Sequence, residues 1–121
     1  MISQWGGEAA QMVAAVGPAV GTCCYPTGED VVEQLLLTLS APLQPNSEKN
    51  QMAGLVKHLE PAGQPRPDLK AINAMQLLLA GVPEVDVCSF CTSCRPDLFY
   101  SHRQSGGKTG RQGAIAMINT L

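Results

Sequence analysis

Three cysteines stand two residues apart in the segment VCSFCTSCRPDLFYSHR, at Cys88, Cys91 and Cys94. Thiolates at such a spacing bind iron–sulfur clusters or structural zinc, and a C-x2-C pair can also exchange disulfides. The bacterial ferredoxin pattern needs a fourth cysteine three residues after the third, followed by proline. The residues after Cys94 are RPDL. The spacing therefore argues against an iron–sulfur cluster.

Zinc binding and disulfide exchange also have little support at this segment. Cys91 and Cys94 supply two of the four ligands of a structural zinc, and the two histidines of the chain are candidates for completing the set. The adjacent pair Cys23-Cys24 is awkward for chelating one ion. A redox C-x2-C normally begins a helix, but here a proline follows and no helical pattern does. We therefore expect Cys91 and Cys94 to be packed free thiols that fix the turn into FYSHR, and Cys88 to be incidental.

A glycine-rich stretch follows, and Gly107-Lys108-Thr109 matches the end of the phosphate-binding pattern G-x4-G-K-[ST]. The first glycine of that pattern would fall at position 102, which is His, and no helical apolar pattern comes after Thr109. We interpret the stretch as a turn that lets two backbone segments approach each other.

Ser101, His102 and Arg103 form a polar group beside an aromatic pair. The guanidinium of Arg103 could bind an anion such as phosphate through two hydrogen bonds, or could order the adjacent loop. Neighbouring residues of a strand point to opposite faces, so Ser101 and His102 are not expected to share a proton. The residues by themselves assemble no complete catalytic set.

The elements that must position these residues follow from periodicity and from start and stop signals. We predict a helix at about 28–40, opened by a Thr27–Asp30 capping box, and a helix that opens at Pro67-Asp68 and ends at Gly81. Strands are expected at 11–16, 84–88 and 114–119, a short helix or strand within 52–60, and loops at 41–51 and 61–67. This pattern predicts an α+β fold, a mixed β-sheet with packed helices.

Composition limits the classes of function. The 121 residues fit one domain, 1–121. A net charge of −2, no basic stripe and 4% aromatic residues argue against nucleic-acid binding. No apolar run approaches a membrane span and no signal-peptide pattern begins the chain, so we expect no membrane contact and a cytoplasmic protein with free thiols. Charged residues make up only 15%, which favours a surface that meets another chain, as a homo-oligomer or with a complementing chain.

Three segments together resemble one known family: VGPAVGTCCYPTGEDV at 16–31, DLKAINAMQLLLAGV at 68–82 and CTSCRPDLFYSHRQSGGKTGRQGAIAMI at 91–118. They resemble the C-terminal half of the YfiH-like laccase-domain family, also called the multicopper polyphenol oxidoreductase or purine nucleoside phosphorylase family. The order and approximate spacing of the family's motifs match over nearly the whole chain. The resemblance implies that the chain forms part of a YfiH-like domain.

Two chemistries are attached to this family. The resemblance implies phosphorolysis of purine nucleosides at a zinc-bound His/Cys/His site, with deamination of adenosine as a side activity, or alternatively copper-dependent oxidation of phenols. Family members carry the metal ligands in preceding motifs resembling Q-x-H-G, A-D-C and H-A-G-W-R-G, and none of these occurs in the sequence. We therefore expect this chain to hold no metal ligand, cofactor or catalytic residue, and to be inactive alone. A shortened, non-enzymatic binding or oligomerising module is the remaining alternative.

The resemblance also implies a set of substrate-binding residues for purine nucleoside and phosphate. Arg103, with His102 and Ser101, is expected to line the pocket, and Tyr25 and Cys24 are expected to lie beside it. His102 stands where the family carries Tyr or His next to the arginine. We expect the other wall of this pocket to come from the portion of the family that bears the metal ligands.

Overall fold

Helices and two short pairs of strands make up the described part of the chain. The computed structural model describes residues 8–39, 56–58 and 63–117, with the backbone alone at 56–58. The elements are β1 (Val13–Val16), α1 (Glu29–Leu37), β2 (Val56–His58), β3 (Pro65–Pro67), α2 (Leu69–Leu79), β4 (Glu84–Val87) and α3 (His102–Ser105), with 3-10 turns at Ala9–Gln11 and Thr22–Cys24.

The strands form one parallel and one antiparallel pair. β1 pairs in parallel with β4, from Val13 opposite Glu84 to Val16 opposite Val87, and α2 packs against both strands. β2 pairs antiparallel with β3. The α+β class is thus confirmed, and within the described residues the two pairs are separate two-stranded sheets.

The two segments that follow β1 and β4 continue to run side by side. The backbone N–H of Cys88 donates to the carbonyl of Val16 at 2.9 Å, and that of Thr92 donates to the carbonyl of Ala19 at 3.1 Å. Ala19 also forms a parallel bridge with Cys91. This continuation carries the Cys23-Cys24 turn and the Cys91–Cys94 loop to the same end of the sheet.

The second predicted helix forms as expected. α2 begins after Asp68, whose Oδ1 accepts a hydrogen bond from the Ala71 N–H at 3.0 Å. The side-chain cap satisfies one of the N–H groups that have no partner within the helix. At the other end Gly81 adopts a left-handed φ of 97°, and its N–H donates to the carbonyl of Leu78. Local signals were sufficient to place this helix.

The cap on α2 leads to a stability prediction. Replacing Asp68 by alanine should lower the free energy of unfolding by about 0.5–2 kcal/mol, because the Ala71 N–H loses its acceptor. Urea denaturation followed by circular dichroism measures the change. Asp68→Ser is the matched control, since serine also caps helices and should retain most of the stability. Equal loss in both variants would contradict the capping role.

The first helix forms at the expected place but without the predicted capping box. Gly28 is its N-cap and no side chain bonds the free N–H groups, so the Thr27–Asp30 prediction is wrong. Thr27 is turned inward instead, and its Oγ1 is buried with no hydrogen-bond partner among the described residues. The acidic first turn of Glu29 and Asp30 still favours a helix start, because carboxylates interact well with the positive end of the helix dipole.

A small core lies where α1 meets α2. Leu39 and Ile72 are each only 2% exposed, and they are the buried centre of this cluster. Gln76 donates a hydrogen bond to the Thr38 hydroxyl across the same contact at 2.6 Å. The partly buried residues packed around this centre are Leu35, Leu36, Ala71, Met75 and Leu79.

Two predictions about extended segments need correction. The loop predicted at 61–67 contains β3, whose prolines are tolerated because the strand has only one partner among the described residues. The strand predicted at 114–119 is absent from its described part: Ile115 and Met117 are exposed and irregular, since no described strand offers hydrogen bonds to them. Residues 118–119 and the loop predicted at 41–51 lie outside the described residues.

Both faces of the β1–β4 pair carry an exposed valine. Val13 is 75% exposed on the face that also carries Glu84 and Asp86, and Val87 is exposed on the opposite face. Parallel sheets are normally covered on both faces, so this exposure is unusual for a parallel pair. None of the helices in the described ranges is long and apolar enough to span a bilayer.

Candidate functional site

Arg103 lies over the ring of Tyr25. The guanidinium carbon is 4.9 Å from the ring centroid, a distance at which the ring's negative face attracts the cation. Tyr25 follows the Thr22–Cys24 turn, and Arg103 belongs to α3. None of the described residues accepts a hydrogen bond from the Arg103 guanidinium, so its N–H groups are available to an anion. The structure therefore brings two of the predicted substrate residues together from distant parts of the sequence.

Ser101 and His102 sit at the start of a helical turn rather than in a strand. The Ser101 hydroxyl accepts a hydrogen bond from the Gln104 N–H at 3.3 Å and caps α3, so the strand geometry expected here is wrong. The turn ends at Gly106 and Gly107, whose φ angles of 75° and 103° are left-handed. Glycine tolerates this conformation, which is why the helix stops after one turn. His102 is exposed on this turn.

A shallow groove of about 440 Å³ borders α3 on its other side. Ser101 lines it together with Lys108 and Thr109, while Arg103 and His102 do not. The glycine-rich stretch therefore adds one cation, Lys108, to the surroundings of α3. The sequence analysis did not predict this residue as part of a site. No helix follows Thr109 within the described residues, as the sequence pattern predicted.

Four cysteines lie close together beside the contact of Tyr25 with Arg103. The Sγ atoms of Cys23, Cys24, Cys91 and Cys94 all lie within 4.8 Å of one another, and we refer to them as the thiol cluster. The Cys94 sulfur is 3.4 Å from that of Cys23 and 3.5 Å from that of Cys24. All are free thiols, and Cys88 is not part of the cluster, as predicted.

Backbone groups set the charge state of Cys91. Partial burial raises the pKa of this thiol, but hydrogen bonds from the backbone N–H groups of Gly21, Cys94 and Ser93 and from the Cys23 thiol outweigh that effect. Together they lower the pKa of Cys91 to about 6, because each N–H stabilises the thiolate. The Gly21 N–H is 3.1 Å from the sulfur. Among the four thiols, Cys91 is thus the one whose surroundings favour the thiolate.

The pKa values of the two exposed members, Cys23 and Cys94, are shifted in the opposite direction. Hydrogen bonds with Cys23, Cys24 and Cys91 raise the pKa of Cys94 to about 12, since its neighbours are themselves sulfurs that carry or share negative charge. Desolvation raises the pKa of Cys23 as well. Four thiols at this distance cannot all ionise cheaply without a compensating cation.

The family's His/Cys/His metal set does not fit the described residues. The potential ligand group that they assemble consists of four thiols, and His102 stands outside it. Sequence reasoning considered the Cys91–Cys94 pair with histidines and did not place Cys23-Cys24 beside it. The sequence does contain two separate cysteine pairs, which is a pattern typical of a metal site. Only the pairing of β1 with β4 shows that the two pairs lie close together.

Cys24 and Tyr25 connect the two features. Cys24 belongs to the thiol cluster and Tyr25 carries the Arg103 contact, so one peptide bond joins them. Three of the five predicted substrate residues lie close together in the structure. Cys24 is bonded to Tyr25 in the chain, and Tyr25 contacts Arg103. Ser101 and His102 adjoin Arg103 in the chain but serve as the cap and the first residue of α3.

Comparison with known proteins finds relatives of greater length. The curated purine nucleoside phosphorylase YlmD of Geobacillus stearothermophilus is 43% identical over 105 residues, which is 84% of this chain and 34% of that protein. YlmD of Bacillus subtilis, also named a purine nucleoside phosphorylase, is 31% identical over 117 residues, 92% of this chain and 38% of the relative. An adenosine deaminase RL5 from an unknown prokaryotic organism is 28% identical over 100 residues. The chain spans about a third of the length of the curated relatives that it matches.

The fold has a solved counterpart. The crystal structure of YlmD from Geobacillus stearothermophilus superposes with a TM-score of 0.62 at 42% identity, over 79% of this chain and 33% of that one. Residues 1–119 match the family described as multi-copper polyphenol oxidoreductase laccase. The resemblance of the three segments is thereby confirmed, and the chain belongs to the multi-copper polyphenol oxidoreductase laccase family, the YfiH-like laccase domains.

Proposed function

We propose that this chain forms one wall of a purine nucleoside phosphorylase site, in which Arg103 binds the phosphate. The observation that carries the proposal is the position of Arg103, held over Tyr25 with its N–H groups free of described acceptors. The names of three relatives support the reaction, since each is called a purine nucleoside phosphorylase. The name of a fourth, adenosine deaminase, supports deamination of adenosine as a side activity.

The reaction gives Arg103 a definite role. In phosphorolysis a phosphate oxygen forms a bond to the sugar C1′ as the bond from C1′ to the purine nitrogen breaks, and the purine leaves with that electron pair. A planar guanidinium can bind two phosphate oxygens at once and orient the third toward the sugar. Stacking on Tyr25 restricts the arginine to one plane, so less freedom is lost when phosphate binds. Arg103 therefore acts as a binding and positioning group.

The groove beside α3 extends the polar surface. Lys108 and Ser101 border it on the side of α3 away from Arg103, and Lys108 adds positive charge to the surroundings of this helix. We place the sugar and base on the side of Tyr25, because an aromatic ring offers a face for stacking. His102 is assigned to the exposed rim of this pocket.

The family's metal belongs to residues beyond those of this chain. A zinc or copper ion held by His/Cys/His would supply Lewis-acid chemistry in the complete site, and zinc is the proposed ion. No ligand of that set is assigned to residues 1–121, so the steps given to this chain are binding and orientation. We expect the protein to work in the cytoplasm, where its thiols stay reduced.

Complementation tests the proposed function. The chain alone, incubated with inosine, phosphate and zinc, should release no hypoxanthine above a heat-denatured control. Mixed with a separately expressed chain carrying the metal-ligand portion of YlmD from Geobacillus stearothermophilus, it should restore phosphate-dependent release. Turnover by the chain alone would contradict its expected inactivity. Co-elution of the two chains without turnover would overturn the phosphorylase proposal.

The non-enzymatic alternative draws on the exposed valines of the β1–β4 pair. Val13 and Val87 are exposed on opposite faces of this pair, and exposed apolar side chains of this kind favour association. Size-exclusion chromatography of the chain, alone and mixed with the complementing chain, separates the two hypotheses. A stable homo-oligomer that does not bind the complementing chain favours a binding module, whereas a monomer that binds it favours the enzyme.

A further inference from the structure

We propose that Cys23, Cys24, Cys91 and Cys94 bind a structural zinc ion, which ties the turn after β1 to the loop after β4. This site is distinct from the family's His/Cys/His metal and does not depend on the proposed function. Its occupant is a divalent cation with a preference for four thiolates in a tetrahedron.

The distances within the thiol cluster match a zinc tetrahedron. A Zn–S bond of roughly 2.3 Å places neighbouring sulfurs about 3.8 Å apart in a regular tetrahedron. The cluster's sulfurs lie within 4.8 Å of one another, with measured separations of 3.4 and 3.5 Å at Cys94. A small adjustment of side-chain rotamers would therefore bring all four to one ion.

Cys23 and Cys24 can both bind one ion although they are adjacent in the chain, because they lie on a 3-10 turn. Cys23 and Cys24 end a 3-10 turn, in which successive side chains are separated by a third of a rotation. Both therefore reach Cys94, although they are consecutive in the chain. An extended segment would have pointed one of them away.

The backbone around the cluster is arranged to accept a thiolate. The Gly21 N–H donates to the Cys91 sulfur at 3.1 Å, which fixes the orientation of a ligand as outer-shell hydrogen bonds do in metal sites. A Cβ at Gly21 would lie 3.3 Å from the Cys91 Cβ and 3.4 Å from the Cys23 sulfur. Glycine thus leaves room for two sulfurs to approach the same backbone segment.

Two inward-facing cations flank the cluster, and neither has a carboxylate partner in the part of the chain that the structure describes. Lys70 is only 8% exposed and donates to the Phe90 carbonyl at 2.7 Å, one residue before Cys91. Arg66 donates to the carbonyls of Thr22 and Cys23, and its Nε is buried with no acceptor among the described residues. The only ion pair within those residues joins two other side chains.

A zinc ion with four thiolates explains these unpaired cations. The complex carries a net charge of −2, so Arg66, bonded to the Cys23-Cys24 turn, and Lys70, bonded to the segment before Cys91, would together balance it. Buried charges are costly unless they are compensated, and Lys70 and Arg66 find no compensation in the metal-free thiols apart from Cys91. The charge distribution is therefore an observation independent of the sulfur distances.

Metal binding to the full chain is the direct test. The reduced chain, stripped of metal, is titrated with cobalt(II) and the thiolate-to-cobalt charge-transfer and tetrahedral d–d absorptions are followed. We expect saturation at a single equivalent, displacement by zinc, and protection of four of the five thiols from a thiol reagent. Absence of these absorptions, or iron rather than zinc bound after expression with both metals, would overturn the proposal.

Variants assign the ligands. Cys94→Ser should weaken cobalt binding by more than the roughly 10- to 100-fold that is typical for loss of an outer-shell partner. Cys88→Ser is the matched control, because this thiol lies outside the cluster and the affinity should not change. Equal affinities of the two variants would refute the assignment, as would formation of a Cys–Cys disulfide in place of metal uptake under reducing conditions.

A second measurement covers the case in which Cys94→Ser does not fold. The unaltered chain is melted with zinc and with a chelator, and zinc should raise the melting temperature because binding to the native state stabilises it. Since neither readout uses enzyme activity, failure here leaves the phosphorylase proposal standing, and failure of complementation leaves the zinc proposal standing.

Discussion

Replacing Ile72 by alanine should remove about 2–5 kcal/mol of stability, the usual cost of truncating a buried aliphatic side chain and leaving a cavity. Ile72 is 2% exposed and forms the centre of the contact between α1 and α2 with Leu39. Few apolar side chains in the described residues are as well buried. Since domains are typically stable by about 5–15 kcal/mol, this single change should remove a large share of the stability.

The measurement is urea denaturation at a fixed zinc concentration, because bound metal would otherwise shift the midpoint. Leu78→Ala is the matched control, since Leu78 lies on the same helix and is 50% exposed. Its truncation should cost less than half as much. Coincident denaturation curves for the two variants would show that the core does not lie at the α1–α2 contact.

Arg103→Ala should raise the KM for phosphate by roughly 10- to 100-fold in the complemented enzyme, which corresponds to the loss of hydrogen bonds to a charged group. The value of kcat should fall less, because the residue is proposed to bind and orient phosphate. Arg103→Lys should recover only part of the loss, since an ammonium keeps the charge but not the planar pair of donors. Initial rates at varied phosphate and saturating inosine give both constants.

Arg95 provides the matched control for this experiment. Its guanidinium also lies over an aromatic ring, 5.1 Å from the centroid of Phe90, but it is paired with Asp97 at 2.9 Å. Arg95→Ala should therefore leave the KM for phosphate nearly unchanged. If both variants raised it equally, the effect would come from general loss of positive charge or of folding, and the phosphate assignment of Arg103 would fall.

The two proposals meet at the peptide bond between Cys24 and Tyr25. A zinc ion held by Cys24 would limit the movement of the turn that presents Tyr25 to Arg103. The site for phosphate would then be built on a metal-fixed turn, which is the kind of rigid support that binding residues need. This arrangement gives the thiol cluster a structural contribution that is separate from any reaction step.

Much of the local structure could be predicted from the sequence. The α2 helix, its Asp68 cap and its Gly81 end follow from signals within a few residues, because helix hydrogen bonds and caps are local. The strands β1 and β4 were also placed, and the family could be named from three motifs. Failures came where local rules were incomplete: Thr27 turned inward rather than capping α1, and the short strand β3 formed around prolines.

The site depended on contacts between distant parts of the chain. Arg103, Tyr25 and Cys24 were predicted to share one pocket only through the family resemblance, and this assignment stays a prediction. The thiol cluster joins Cys23 to Cys94 across 71 positions, and no spacing rule within one segment could reveal it. By itself the sequence predicted α1, α2, β1 and β4 and showed which chemical groups are available. Only the parallel register of β1 and β4 decided that the two cysteine pairs meet, because strand pairing is a non-local interaction.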